Sequence, residues 1–419
     1  GNDGGIGAQF AKTKTSPVKK PQAGAVVRFS PDFKTSEIFA HGFRNPYDLT
    51  FNANGQLFTV DSDGERDQYL PWYTPTRLFD IQQGMHHGWV QRGWTRSWNR
   101  PECFFDNVDR LVEIGRGSPT GVECYRHYAF PSHYRGGIYS CCWTLGTVYY
   151  FPLTRDGATY KSEKEIFLQT TGDVGFAPVD LVVGPEGDLF VAIGGRGTRG
   201  SVFRVRYTGE LKQEERHLTK EGLVGILNAP QPLSAWSRAK WMPLAKKLGA
   251  EDFERAAASE LYAPAERNRA MEVLTELHGG LSAEAFHNLA RENTQVEARA
   301  IWSTGHKADS EKFIEDVVYS TSLFLNDESV NRSAWETLAR FDSKRLNFAA
   351  ARWRRAVHQS RRIQAAALQV ASDPGVDAAS TQLADIKSPS RKSAILQYRA
   401  VHSMLRPEDF DDVLHLLDV

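Results

Sequence analysis

An internal repeat constrains this chain more than any other feature. The segment Pro46-Tyr-Asp48-Leu49-Thr-Phe51-Asn-Ala-Asn-Gly55-Gln-Leu57-Phe58 returns as Pro178-Val-Asp180-Leu181-Val-Val183-Gly-Pro-Glu-Gly187-Asp-Leu189-Phe190, every matched position offset by 132 residues. Alternating apolar positions on either side of N-A-N-G or G-P-E-G describe two strands joined by a tight turn. The offset accommodates three units of ~44 residues, the length of one propeller blade. A second unit recurs as Gly24-Ala-Val-Val-Arg-Phe29, Gly146-Thr-Val-Tyr-Tyr-Phe151 and Gly200-Ser-Val-Phe-Arg-Val205, and reads as an outer blade strand followed by a polar turn. A β-sandwich does not repeat at such spacing, so a β-propeller is expected. About four blades fit before residue 208, which makes the ring partial.

The pattern changes near Gly209. Of the 34 glycines, 26 precede it, and the stretches beyond are rich in Ala, Leu, Glu and Arg, residues that favour helix. Arg269-Ala270, Arg299-Ala300, Ser333-Ala334, Gln364-Ala365 and Ser393-Ala394 each open a similar apolar helical stretch, with alanine spacings of 30, 34, 31 and 29. Small residues at this period let paired helices approach, as in a HEAT-like solenoid. The expected fold is therefore β + α multidomain. A partial β-propeller over 1–208 precedes an α-helical HEAT-like solenoid over 209–419. Ser234 and Ser282 are expected N-caps, and Arg352-Trp-Arg-Arg355 a solvated helix face around a buried Trp353.

Lys+Arg and Asp+Glu both number 51, so no global field draws the chain to nucleic acid or anionic lipid. No apolar run is long enough to span a membrane. The opening GNDGGIGAQF and the closing DDVLHLLDV both read as cuts in a longer polypeptide, so the lack of a signal peptide is uninformative about the parent. Of the cysteines at 103, 124, 141 and 142, none forms a C-x-x-C pair. Cys103 and Cys124 are read either as a disulfide or as buried free thiols.

The segment His41-Gly42-Phe43-Arg44-Asn45-Pro46, then Asp61-Ser-Asp63-Gly64-Glu65 and Gly84-Met-His86-His87-Gly88-Trp89, resembles the soluble quinoprotein glucose/sorbosone dehydrogenases. With Gly115–Gly121, Phe130-Pro131, Tyr134–Gly136, Gly175–Pro178 and Gly194–Gly200, the chain also resembles the large bacterial proteins termed putative membrane-bound dehydrogenases. In those, HEAT-like repeats follow the propeller. The resemblance covers nearly the whole chain and is more specific to a propeller family than to a reaction.

The resemblance implies pyrroloquinoline quinone (PQQ) and Ca²⁺ as cofactors and a small sugar or alcohol as substrate, in a secreted or periplasmic setting. PQQ carries three carboxylates and an ortho-quinone, and such a group needs cationic forks, a polarising cation and a base. By position, Arg44 and Asn45 would sit at the cofactor, the carbonyls of Asp63 and Gly64 at calcium, and Arg196 and Arg199 would clamp carboxylates. Residue by residue there are plainer readings. Arg44 could pair with Asp61 or Asp63 at the ring mouth, and Asp61–Asp67 could be a solvated turn. Adjacent side chains diverge, so His86 and His87 read as structural. His127 and His133 read as packing or surface residues, and Gly194–Gly200 as a tight inter-strand loop. The resemblance places the catalytic base, a His, on a blade upstream of this chain, so no catalytic residue is assigned here.

Two functions compete. One is a fragment of a quinoprotein-like dehydrogenase whose helical array docks a protein partner or electron acceptor. The other is a non-catalytic scaffold, its propeller binding a glycan or protein and its solenoid offering a concave surface.

Overall fold

The structure is a computed structural model that describes residues 8–341 apart from 14–15, 92–96, 101–105, 173–174, 196, 211–220, 308–311 and 318–326. Arg196, Cys103, Arg352–Arg355 and the repeat positions at 364–365 and 393–394 lie outside the described residues. The described part is β-rich first and helical later. The first strands are β1 (Gly24–Phe29), β2 (Ser36–Phe43), β3 (Thr50–Phe51), β4 (Leu57–Asp61), β5 (Thr76–Ile81), β6 (Trp89–Gln91), β7 (Ser97–Asn99) and β8 (Val112–Gly115). There follow β9 (Pro119–Cys124), β10 (Ile138–Cys142), β11 (Thr147–Phe151), β12 (Thr154–Asp156), β13 (Thr159–Lys161), β14 (Glu165–Gln169), β15 (Pro178–Val183), β16 (Leu189–Gly195) and β17 (Thr198–Val205). The helices are α1 (Gly222–Leu227), α2 (Ala235–Leu248), α3 (Ala250–Ala258), α4 (Pro264–His278), α5 (Ala283–His287), α6 (Thr294–Thr304) and α7 (Glu328–Leu338).

The chain divides into two compact units. One comprises Gly1–Arg44, Gln82–Asp109 and Asp309–Val419, the other Asn45–Ile81 and Arg110–Ala308. The first holds the antiparallel pairs β1–β2 and β6–β7 together with α7. Within it the Gln83 side chain donates to the Glu336 carbonyl at 3.1 Å, tying the loop after β5 to the helix.

The second unit contains three antiparallel meanders, β3–β4–β5–β8, β9–β10–β11–β14 and β15–β16–β17. The middle sheet explains how they stack. Along β10, Ile138 and Cys142 face a core shared with Phe58, Val60 and Leu78 of the first sheet. Tyr139 and Cys141 face the other way, into a core with Leu181, Val183, Leu189 and Val191 of the third. In β11, Tyr149 and Phe151 alternate with Val148 and Tyr150 in the same way. A strand buried on both faces must be apolar at every position, and β10 and β11 nearly are.

The repeat is visible in the hydrogen bonds. At the β3–β4 turn, Asn52 N–H donates to the Gln56 carbonyl at 3.0 Å and Gly55 N–H to the Asn52 carbonyl at 3.1 Å; at β15–β16, Gly184 and Gly187 make the matching bonds at 2.9 Å each. Gly55 and Gly187 have φ of +80° and +82°, which only glycine adopts readily. Asp48 and Asp180 each accept the N–H of the following leucine at 2.8 Å.

The count of units differs from expectation. Between the two hairpins lie one further four-stranded sheet and the two-stranded pairs β6–β7 and β12–β13, so the 132-residue offset is not filled by equal four-stranded units. The surplus length sits in the β12–β13 hairpin and in residues 82–109, which leave the first sheet for the other unit. Three multistranded meanders are present among the described residues, where about four blades were expected, and no sheet closes on itself.

The helices form consecutive pairs, α3 against α4 and α5 against α6, with α4 packed on α6. Ala270, Ala300 and Ala334, the markers of the sequence period, are all fully buried. Ser282 caps α5 by accepting the Ala285 N–H at 3.1 Å. Ser234 stands at the N-cap of α2, but its side chain makes no capping bond. The second unit joins helices to sheets through polar anchors. Trp236 Nε1 donates to the Val183 carbonyl at 2.9 Å, Gln231 Nε2 to the Cys124 carbonyl at 2.9 Å, and Asn268 Nδ2 to Asn54 Oδ1 at 3.2 Å.

Candidate functional site

The Arg44-Asn45-Pro46 segment leaves β2 and leads toward β3, and the division between the two units falls between Arg44 and Asn45. Asn45 is held from beneath. Its N–H donates to Asp61 Oδ1 at 2.7 Å and its carbonyl accepts the Ser62 hydroxyl at 3.2 Å. Asp61 Oδ1 also takes the Ser62 N–H at 3.0 Å, while Oδ2 takes Arg77 Nη2 at 3.0 Å. The pair is deeply buried, with side-chain exposures of 0 % for Asp61 and 3 % for Arg77. A buried carboxylate with a guanidinium and two backbone donors is a well-satisfied anion. The Asn45 side chain, by contrast, is exposed and Arg44 is half-buried.

Asp61 therefore takes its ion pair from Arg77, a residue not singled out in the sequence. Its signal was a lone arginine in Thr-Arg-Leu-Phe-Asp-Ile, an otherwise wholly buried strand. Arg44 has its guanidinium 6.0 Å from the centroid of the Trp89 ring, within the first unit.

Asp63 is buried and accepts the Tyr73 hydroxyl at 2.7 Å. Burial first, and then the Asp63 carboxylate, push the Tyr73 phenol well above its ordinary value. Gly64 donates to the Thr74 carbonyl at 2.8 Å and accepts the Asp67 N–H at 2.9 Å. The acidic loop is thus closed by its own bonds. Calcium prefers six to eight oxygens, and no group of three or more His, Cys, Asp or Glu among the described residues could hold a metal. Arg199 is exposed on β17, in the third sheet, whereas Asn45 adjoins the first. β16 and β17 pair antiparallel, with Gly195 opposite Thr198.

The described histidines of the first unit are packed in its interior. His41, His86 and His87 are almost completely buried. His87 Nδ1 lies 3.0 Å from the His41 carbonyl and so donates to it. His41 Nδ1 accepts the Gln22 N–H at 3.0 Å and His86 Nδ1 the Gly88 N–H at 2.9 Å. The rings of His86 and His87 go to different neighbours, His41 at 4.8 Å and Phe43 at 4.2 Å between centroids. Gly42 is fixed by the same packing. Its φ is +79°, and a Cβ there would lie 2.4 Å from His86 Nδ1.

Two further clusters were missed in the sequence. Glu123 on β9 is pushed up to about 7, first by burial and then by the charges of Asp48 and Asp180. It accepts Gln231 Nε2 at 2.7 Å and can hold or release a proton near neutrality. Asp48 lies just before β3, Glu123 on β9 and Asp180 on β15, a proximity visible only once the 132-residue repeat is placed in sheets. The other cluster gathers Arg126, Arg269 and Arg299 around Glu272. Arg126 forms a two-pronged pair with Glu272 at 2.9 and 3.1 Å, and Arg269 Nη1 reaches the same carboxylate at 2.6 Å. Burial opposes the Glu272 charge, but Arg126 and Arg269 outweigh it and hold the carboxyl down at about 2. Cys124 is a free, buried thiol, pushed up to about 12 by burial. Among the described residues the reading as a free thiol is the one realised for Cys124.

A family described as a domain of unknown function (DUF7133) matches residues 2–192. No curated protein matches. Similar solved structures include a putative oxidoreductase (glucose dehydrogenase) from Thermus thermophilus, 22% identical over 40% of this chain and 46% of that one, with a TM-score of 0.29. The PQQ-bound aldose sugar dehydrogenase from Streptomyces coelicolor is 17% identical over 49% of this chain and 55% of that one, with a TM-score of 0.30. The soluble aldose sugar dehydrogenase from Escherichia coli, in its apo-form, is 17% identical over 44% and 54%, with a TM-score of 0.31. The chain spans about half the length of these solved structures. Among the described residues no helix is long and apolar enough to cross a membrane.

Proposed function

We propose that this chain is part of a secreted or periplasmic, PQQ-dependent dehydrogenase of sugars or alcohols. Residues 1–208 would build the cofactor-bearing sheets, and 209–419 a helical array that docks a protein partner or electron acceptor. One observation carries the reading. Asn45 is clamped through its backbone by Asp61, and Asp61 by Arg77, yet the Asn45 amide remains accessible. Fixing a segment this firmly while leaving its polar side chain unburied is what preorganised ligand binding needs. Arg44 and Asn45 supply the kind of donors that a carboxylate-bearing cofactor requires. PQQ, when bound, supplies a two-electron acceptor; the part assigned to this chain is binding and orientation. Arg196 and Arg199 are proposed as a second, peripheral carboxylate contact.

The test is a titration of PQQ into the full-length protein, with and without Ca²⁺, compared with Arg44→Ala, Asn45→Ala and the remote control Arg238→Ala. Saturable binding weakened in the first two variants and retained in the control supports the reading. No binding by a folded protein overturns it. A recognition scaffold is the second reading, favoured by the exposed aromatics of the loop after β4. Tyr69 is 91% and Trp72 62% exposed, and accessible rings of this kind stack on sugars. Glycan binding lost in Trp72→Ala, with no PQQ binding, would support it.

A further inference from the structure

We infer that Arg126, Arg269 and Arg299 form a binding site for a small doubly charged oxyanion, phosphate or sulfate, beneath the β3–β4 turn. The site is built by the loop after β9, by α4 and by α6, all within the second unit. Arg269 and Arg299 retain only 3% and 8% exposure. Three guanidinium groups surround a single carboxylate, Glu272, leaving two positive charges unbalanced. The next acidic group, Glu276, is engaged at 2.9 Å by Arg238.

Hydrogen bonding leaves the same deficit. Glu272 receives both prongs of Arg126 and Nη1 of Arg269. Arg269 Nε and Nη2, and Arg299 Nε, are buried without a hydrogen-bond partner among the described residues. Buried donors on a cation are costly to leave unmade. The two guanidinium faces are braced against rings, Arg269 over Trp241 at 4.3 Å and Arg299 over Trp302 at 4.2 Å. The Arg299 head fills the space a side chain at position 55 would need, since a Cβ there would fall 1.8 Å from Nη1. The donors are therefore held in place and not free to swing into solvent. Burial, and then repulsion from Arg126 and Arg269, pull Arg299 down to about 10 despite Glu272. An oxyanion with two charges restores neutrality and supplies the missing acceptors. The small residual exposure favours a free inorganic ion over a phosphate carried on a larger molecule.

The test is isothermal titration of inorganic phosphate and of sulfate into the full-length protein, at constant ionic strength set with chloride. Glucose 6-phosphate serves as the bulky arm, and Arg299→Gln and Arg269→Gln as variants. Expected are one saturable site for both inorganic ions, at least tenfold weaker binding in either variant, and little response to glucose 6-phosphate. Equal binding of the sugar phosphate would reassign the source of the phosphate to a metabolite and overturn the free-ion form. Absence of a saturable site in the wild-type protein, or affinity unchanged in both variants, would overturn the site itself. Should one variant fail to fold, the other and the wild-type stoichiometry decide.

Discussion

Replacing Asp61 by Asn is the most informative single change at the candidate site. An amide keeps the volume and leaves one oxygen to accept the Asn45 and Ser62 N–H groups, now at 2.7 and 3.0 Å. The Arg77 guanidinium, 3.0 Å away and 3% exposed, loses this carboxylate and faces a donor. Removing one partner of a buried pair in this way costs about 3–5 kcal/mol. Arg77→Met leaves the carboxylate with its two backbone donors, each worth about 1.5–3 kcal/mol to a charged acceptor, so its cost lies at the lower end. The double variant removes both charges and should cost less than Asp61→Asn alone, since an apolar replacement of a whole buried pair is often near neutral. The coupling between the sites should therefore exceed about 2 kcal/mol. Urea unfolding of the four proteins, followed by tryptophan fluorescence, measures it. Costs that add within about 0.5 kcal/mol, or an Asp61→Asn cost below about 1 kcal/mol, would refute the role given to the pair.

Gly42→Ala forces a Cβ to 2.4 Å from His86 Nδ1 at a φ of +79°, and should lower stability by at least ~2 kcal/mol in a thermal melt. Glu123 has its folded pKa raised from 4.5 to about 7. Its contribution is complete below pH 4.5 and lost as pH rises through 7, up to ~3 kcal/mol in all; Glu123→Gln should flatten that slope in urea titrations across the window. Glu272 behaves oppositely, being lowered from 4.5 to about 2. Its stabilisation of ~3 kcal/mol is present above pH 4.5 and lost toward pH 2, and acid unfolding should be shallower in Glu272→Gln. The buried thiols of Cys124, Cys141 and Cys142, all pushed up by burial, should react with a thiol reagent only as fast as the protein opens. Rapid labelling of the native protein at these positions, read by mass spectrometry, would contradict that placement.

The strands were legible because a hairpin is a local object. Gly55 and Gly187 sit at equal φ, and Asp48 and Asp180 make the same bond to the next residue; both facts follow from side chains within a few positions. How many sheets separate the two copies is not local. Residues 82–109 leave the first sheet between β5 and β8, and nothing in their composition announces that the meander resumes at Val112. The small residues that mark the helices were readable too, Ala270 and Ala300 both being fully buried. At the candidate site the local half was again the readable half. The Arg44-Asn45-Pro46 motif could be seen, whereas the Arg77 that secures it lies 16 residues from Asp61 on another strand. Its role depends on the β4–β5 register that pairs Asp61 with Arg77.

The join between sheets and helices in the second unit follows a different rule from either half. Inside the sheets and inside the helix pairs, apolar alternation and small residues carry the packing. Between them, the described anchors are polar and directional: the bidentate Arg126–Glu272 pair, the Gln231 side chain on the Cys124 carbonyl, and the Trp236 indole on the Val183 carbonyl. Apolar contact alone would let a helix face slide along sheet edges, because hydrophobic burial is non-directional. Hydrogen bonds to named carbonyls do not permit such sliding. Arg126 and Gln231 both connect the β9 region to the helices, so a change in the charge of Glu123 or Glu272 is felt at that join. The position of α4 relative to β9 is thus tied to protonation and to whatever neutralises the surplus arginine charge, and an anion bound there would brace sheets and helices together.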